Sequence, residues 1–163
     1  MMKHFNMLLS GLLLWLCTGF TVLGASAPGF FISNLDGTQF ISRKQTAPYV
    51  ISFFFVGCVP CIKEIPVLYA KLSQDFPDVP LLFIDPMKDD SPESIRSFAD
   101  KLGVPQELFY HDSQGNLARK FFTGEFRFPT LYGIKQKQVL FEYPGLEEKT
   151  MKEIEDALTQ NMK

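Results

Sequence analysis

Hydrophobic positions change period several times along this chain, and each change marks an element. Residues 49–56, Tyr-Val-Ile-Ser-Phe-Phe-Phe-Val, are nearly continuously apolar, as a strand buried on both faces of a sheet requires. From Cys61 onward, Ile62, Ile65, Leu68, Tyr69, Leu72 and Phe76 recur at three- and four-residue steps, which predicts an amphipathic helix. Pro66 lies inside it, where it removes one ladder donor and kinks the axis. Residues 80–85, Pro-Leu-Leu-Phe-Ile-Asp, predict a second central strand. Ser91-Pro92-Glu93 then has the order of an N-cap followed by proline at the first helical position. Ile95, Phe98, Ala99 and Leu102 form that helix's buried stripe, and Gly103 its stop.

Shorter elements fill the rest. Asp36-Gly37 predicts a turn between two short extended segments, an N-terminal hairpin. Residues 107–111 predict a short strand, and Gly115-Asn116 the start of a short helix through Leu117, Ala118 and Phe121. Residues 128–134 and 139–143 pair as a hairpin across the polar turn 135–138. The last helix has two candidate starts, a capping-box spacing from Thr150 to Glu153 or the pair Glu147-Glu148, and it buries Met151, Ile154 and Leu158. The order strand, helix, strand, helix, strand, hairpin, helix gives parallel crossovers first and antiparallel strands later. The expectation is one α/β domain with a central mixed β-sheet flanked by helices.

Composition adds size and setting. With 46% hydrophobic residues, the chain can bury one core without a staple. Setting aside residues 1–27, whose one charge is Lys3, leaves 15 basic against 18 acidic side chains. No basic cluster stands out, so nucleic acid is not an expected partner. Residues 7–23 carry no charge and are rich in leucine, and Ala25-Ser26-Ala27 supplies small residues for a cleavage site. Residues 1–27 are therefore read as a signal peptide or N-terminal membrane anchor, and residues 28–163 as the domain. Pro28 disfavours cleavage directly after Ala27, so cleavage after Ala25 and retention as an anchor both stay open. Cys17 is an apolar position of that run, because bulky Trp15 and Leu16 do not make a lipoprotein box.

Chemistry concentrates at Cys58-Val59-Pro60-Cys61, where strand gives way to helix. Cysteines at i and i+3 can close a disulfide within one turn. The first sulfur then lies at the helix N-terminus, where free N–H groups and the dipole favour a thiolate. A zinc site would need about two more ligands nearby. Outside the motif there are only Cys17, His4 and His111, so redox exchange is the reading and no metal or cofactor is expected. Pro60 sits at an early helical position that tolerates its missing N–H. Glu64, three residues after Cys61, is either a solvated helix glutamate pairing with Lys63 or Lys71, or a buried acid able to take the Cys61 proton. Pro129, after Phe126-Arg127-Phe128, reads locally as loop punctuation.

From about Phe30 to the C-terminus the chain resembles the TlpA/ResA-like thiol-disulfide oxidoreductases of the thioredoxin superfamily. The resemblance rests on residues 53–66, Phe-Phe-Phe-Val-Gly-Cys-Val-Pro-Cys-Ile-Lys-Glu-Ile-Pro, on residues 112–118, and on Phe128-Pro129-Thr130. It implies a thioredoxin-like fold with an inserted strand–helix element at residues 81–111. It implies an active-site acid at Glu64, and a cis-proline at Pro129 that, with Phe128, Val59 and Pro60, meets an extended substrate. It also implies an exported, periplasmic or membrane-tethered reductase of protein disulfides, serving cytochrome c maturation in some relatives. The partners would be a disulfide-containing or dithiol protein and a membrane electron donor of the DsbD/CcdA type. Three departures bear on substrate choice: Gly57 stands where relatives carry tryptophan, Phe128 is bulkier than the usual aliphatic residue, and Ser52 occupies the position of thioredoxin's buried acid. A copper metallochaperone using Cys58 and Cys61, with His111 as a conceivable third ligand, is one alternative. A thiol peroxidase is another, although no P-x-x-x-T-x-x-C motif is present.

Overall fold

The computed structural model of the chain describes residues 25–162, so the proposed leader falls almost entirely outside the described residues. A short antiparallel hairpin comes first, β1 (Phe31–Ser33) and β2 (Gln39–Ile41). Its turn is closed by Asn34, whose Oδ1 accepts from the N–H groups of Asp36 and Thr38. Gly37, at φ +87°, takes the left-handed conformation that the Asp-Gly pair predicts.

The main sheet has the order β5-β4-β3-β6-β7. Strands β3 (Tyr49–Phe53), β4 (Leu81–Asp85) and β5 (Phe109–His111) run parallel, and β6 (Thr130–Lys135) and β7 (Gln138–Tyr143) add antiparallel to the other side of β3. Every residue of β3 and β4 is buried, which explains their unbroken apolar runs. The β6–β7 turn places Gln136 and Lys137 at φ +48° and +70°, the twist a two-residue hairpin loop demands. Outside that hairpin, Ala25 and Ala27 bond to the β7 edge through Val139 N–H and the Lys137 carbonyl.

Alternating side chains split the core in two. On one face Val50, Phe83, Phe109, Leu131 and Phe141 meet helices α1 (Val59–Asp75), α2 (Pro92–Leu102) and α4 (Glu148–Asn161). On the other, Ile51, Phe53, Leu82, Ile84 and Tyr132 pack under the hairpin's Phe40, Phe30 and the short helix α3 (Ala118–Phe121). The α/β mixed sheet flanked by helices, with its N-terminal hairpin, is the predicted architecture.

Helix ends follow the expected chemistry. Ser91 caps α2 by accepting from Ser94 N–H, Ser94 returns the bond, and Gly103 stops the helix at φ +66°. Two expectations shift and one open choice is settled. The strand forecast at 107–111 begins only at Phe109, because Gln106–Leu108 winds into a 3-10 turn after Pro105. Helix α4 starts after Glu147, so the alternative start at Thr150 lies inside it. Met151 is half-buried, while Ile154 and Leu158 are buried.

Candidate functional site

The central strand β3 delivers the chain to residues 54–58, a short connection ending in the C-x-x-C. Phe54 N–H still donates to the Ile84 carbonyl, continuing the β3–β4 ladder by one bond. Gly57, at φ +90°, then turns the chain, with open space where a side chain would stand. Cys58 N–H closes onto the Phe55 carbonyl at 3.1 Å.

Cys58 is the N-cap of α1, and Pro60 occupies the first turn. Its Sγ accepts the Cys61 N–H at 3.3 Å, using one of the donors that a helix start leaves unpaired. The two cysteines form a disulfide with their Cα atoms 5.2 Å apart. Both are buried, Cys58 at 2% and Cys61 at 0% exposure. Beside them the apolar side chains Val59 and Ile62 are 64% and 45% exposed, so the approach to the disulfide is a greasy rim. The helix N-terminus favours negative charge on Cys58 once the disulfide is reduced.

The Phe128–Pro129 bond is cis, and Pro129 is buried at the entrance to β6. The Phe128 ring meets Phe55 edge-to-face at 5.3 Å and belongs to a cluster with Phe122 and Phe126. The structure brings Pro129, Ser52 and Glu64 onto one small crevice together with Ile65 and Leu146.

Glu64 is half-buried, and its Oε2 accepts from Leu146 N–H at 2.6 Å, across 82 residues of sequence. Burial pushes its pKa above the ordinary glutamate value, and the charge of Glu147 adds to the rise, while the Leu146 bond opposes it. It makes no ion pair with Lys63 or Lys71; Lys71 instead bridges Asp75 and Glu155. Gly145, at φ +121°, lets the loop after β7 approach, with its Cβ position 3.7 Å from both Glu64 oxygens.

His111 sits at the end of β5, its Nε2 3.1 Å from the Met87 carbonyl. Among the described residues no three Cys, His, Asp or Glu side chains converge as a metal site. One acid was not singled out from the sequence. Asp85 ends β4 wholly buried on the helix-bearing face of the sheet. It stands one strand over from Ser52, and its pKa is pushed up to about 8, mainly by burial. A charged residue closing an all-apolar strand run was the available signal.

No protein-family model and no curated protein sequence matches the chain. Solved structures do. A candidate protein disulfide isomerase from Bacteroides thetaiotaomicron superposes with a TM-score of 0.73 at 21% identity, covering 86% of this chain and 89% of that one. A thiol:disulfide interchange protein of the thioredoxin family from Chlorobium tepidum gives 0.68 at 19% identity, with 86% and 97% covered. A secreted Mycobacterium tuberculosis disulfide oxidoreductase homologous to Escherichia coli DsbE gives 0.64 at 17% identity, with 80% and 95% covered. Similarity at this level of identity carries the fold, and with the sheet order and helix placement above it establishes that the chain has a thioredoxin-like fold, its C-x-x-C disulfide at the start of the helix that follows the central strand.

Proposed function

We propose that this protein is a thiol-disulfide oxidoreductase that works on protein disulfides outside the cytoplasm. The observation that carries the reading is the Cys58–Cys61 disulfide at the N-cap of α1, with cis-Pro129 near the start of the adjoining strand. In the reduced protein the Cys58 thiolate attacks one sulfur of a substrate disulfide. The other substrate sulfur leaves as a thiolate and takes a proton. Cys61, giving its proton to Glu64, then attacks Cys58 Sγ and expels the second substrate thiol. Two electrons pass to the substrate, and the enzyme is left with its Cys58–Cys61 disulfide.

Each neighbour has a task in this cycle. The raised pKa of Glu64 suits it to receive a proton from a thiol. Exposed Val59 and Pro60 with half-buried Phe128 supply an apolar surface for an extended segment of the substrate, beside buried Pro129. The uncharged, leucine-rich run at residues 7–23 supports export. We assign the protein to the reducing branch on its resemblance to the TlpA/ResA-like reductases, with a membrane electron donor as partner and cytochrome c maturation as a candidate setting.

Turnover of a disulfide-bonded protein such as insulin, with dithiothreitol as the electron source, tests the activity. The wild type accelerates reduction and Cys58→Ala does not. Equal rates for the two would refute the reading.

A further inference from the structure

We propose that Asp85 and Asp90 form a carboxyl pair sharing one proton, and that this pair is a positioning device that clamps residues 55–57 in front of Cys58. The inference rests on the exchange reading above for its functional consequence, but its structural basis is independent of it.

The Asp90 carboxylate Oδ2 accepts the Val56 N–H at 3.0 Å, across 34 residues of sequence. Val56 lies two residues before Cys58, in the connection whose other anchors are the Phe54–Ile84 bond and the Cys58–Phe55 turn. Behind Asp90 stands Asp85. Its Oδ1 accepts from Met87 N–H at 2.8 Å, a local turn at the strand end. Its Oδ2 is fully buried and finds no donor. An ionised carboxylate left that way is costly, whereas a protonated one is itself a donor. Asp90 is the acceptor beside it, and its negative charge and its hydrogen bond favour the proton on Asp85, while the Met87 and Val56 N–H groups, which also face Asp85, oppose it. The proton therefore serves two purposes. It satisfies a buried oxygen and removes the repulsion that would push Asp90 off the Val56 N–H.

The other ionisable groups in the neighbourhood are otherwise engaged. His111, the register partner of Asp85 on β5, points its Nε2 at the Met87 carbonyl. Asp112 accepts from the N–H groups of Leu117 and Ala118. Lys88 and Asp89 on the loop, and Glu93 on α2, are exposed. On α1, Lys63 is exposed and Glu64 faces Leu146.

Loss of the shared proton places two negative charges side by side and releases the clamp. In the disulfide form no thiol titrates, so nuclear magnetic resonance of the oxidised full chain isolates the event. The Val56 amide should shift, and its hydrogen-exchange protection should fall roughly tenfold between about pH 7 and pH 9. Asp85→Asn keeps a neutral donor to Asp90, and should hold Val56 protected across that range. Asp90→Ala removes the Oδ2 acceptor and should lower Val56 protection at pH 5, where Asp85 holds its proton. In the reduced enzyme, the exchange rate per Cys58 thiolate should drop above about pH 8 in the wild type and stay level in Asp85→Asn. A Val56 titration that persists unchanged in Asp85→Asn, or Val56 protection that survives Asp90→Ala, overturns the clamp. Absence of exchange in the wild type at any pH would instead overturn the exchange reading and leave the amide result to stand by itself.

Discussion

Asparagine at position 85 should make the oxidised domain more stable than the wild type by an amount that grows with pH. In the folded protein the buried acid ionises at about 8, against an ordinary value of 3.8. Below that lower value the side chain is protonated in both states and contributes no difference. As the pH rises further, the unfolded chain loses its proton freely while the folded state keeps it. The folded state therefore loses ground by ~1.4 kcal/mol per pH unit, until ionisation near 8 in the fold levels the curve. A span of this size costs on the order of 5 kcal/mol in full, comparable with the whole stability of many domains. Asparagine has no such titration, and its amide can still donate to Asp90 and accept from Met87 N–H. Urea unfolding of wild type and Asp85→Asn at pH 5, 7 and 9, with the disulfide intact, reads the difference directly. The gap should widen by ~2–3 kcal/mol from pH 5 to pH 7, and further by pH 9. A gap that stays constant over that range would refute the buried-acid reasoning.

Other substitutions probe the remaining parts of the account. Glu64→Gln keeps an acceptor for Leu146 N–H but cannot take a proton. It should slow substrate release from the mixed disulfide by ~100-fold and remove a titration lying above the ordinary glutamate range, both visible in stopped-flow pH profiles. Gly133 faces the Phe141 ring so closely that an added Cβ would lie 2.1 Å from its Cε1. Gly133→Ala should cost ~1–3 kcal/mol in chemical denaturation by forcing β7 away from β6. Ser91→Ala removes the acceptor for Ser94 N–H and should cost ~1 kcal/mol in the same assay, with exchange activity unchanged.

The elements that local pattern alone determines were readable in advance. Strands β3 and β4 are runs of buried residues, Ser91 and Gly103 bracket α2, and the C-x-x-C sits at the strand-to-helix switch. What escaped depends on contacts between distant segments. The partner of Glu64 is a backbone N–H at Leu146, and no local spacing announces it. Pro129 reads locally as a loop residue, and the cis bond was expected only from the family resemblance. Asp85 looked like the polar end of a strand. Its burial comes from the helices that cover that face of the sheet, a tertiary fact. The 3-10 turn at Gln106–Leu108 took the first two residues of a predicted strand, and it is held by a distant partner, Asn34, whose side chain donates to the Glu107 carbonyl.

The central claim is that Cys58 is the exchanging sulfur and Cys61 the resolving one. Mixing reduced Cys61→Ala with a disulfide-bonded protein, quenching with acid and mapping the adduct by peptide mass spectrometry tests it in one measurement. The account predicts a long-lived mixed disulfide on Cys58. An adduct confined to Cys17, or none at all while Cys58 is reduced and accessible to alkylation, would contradict it.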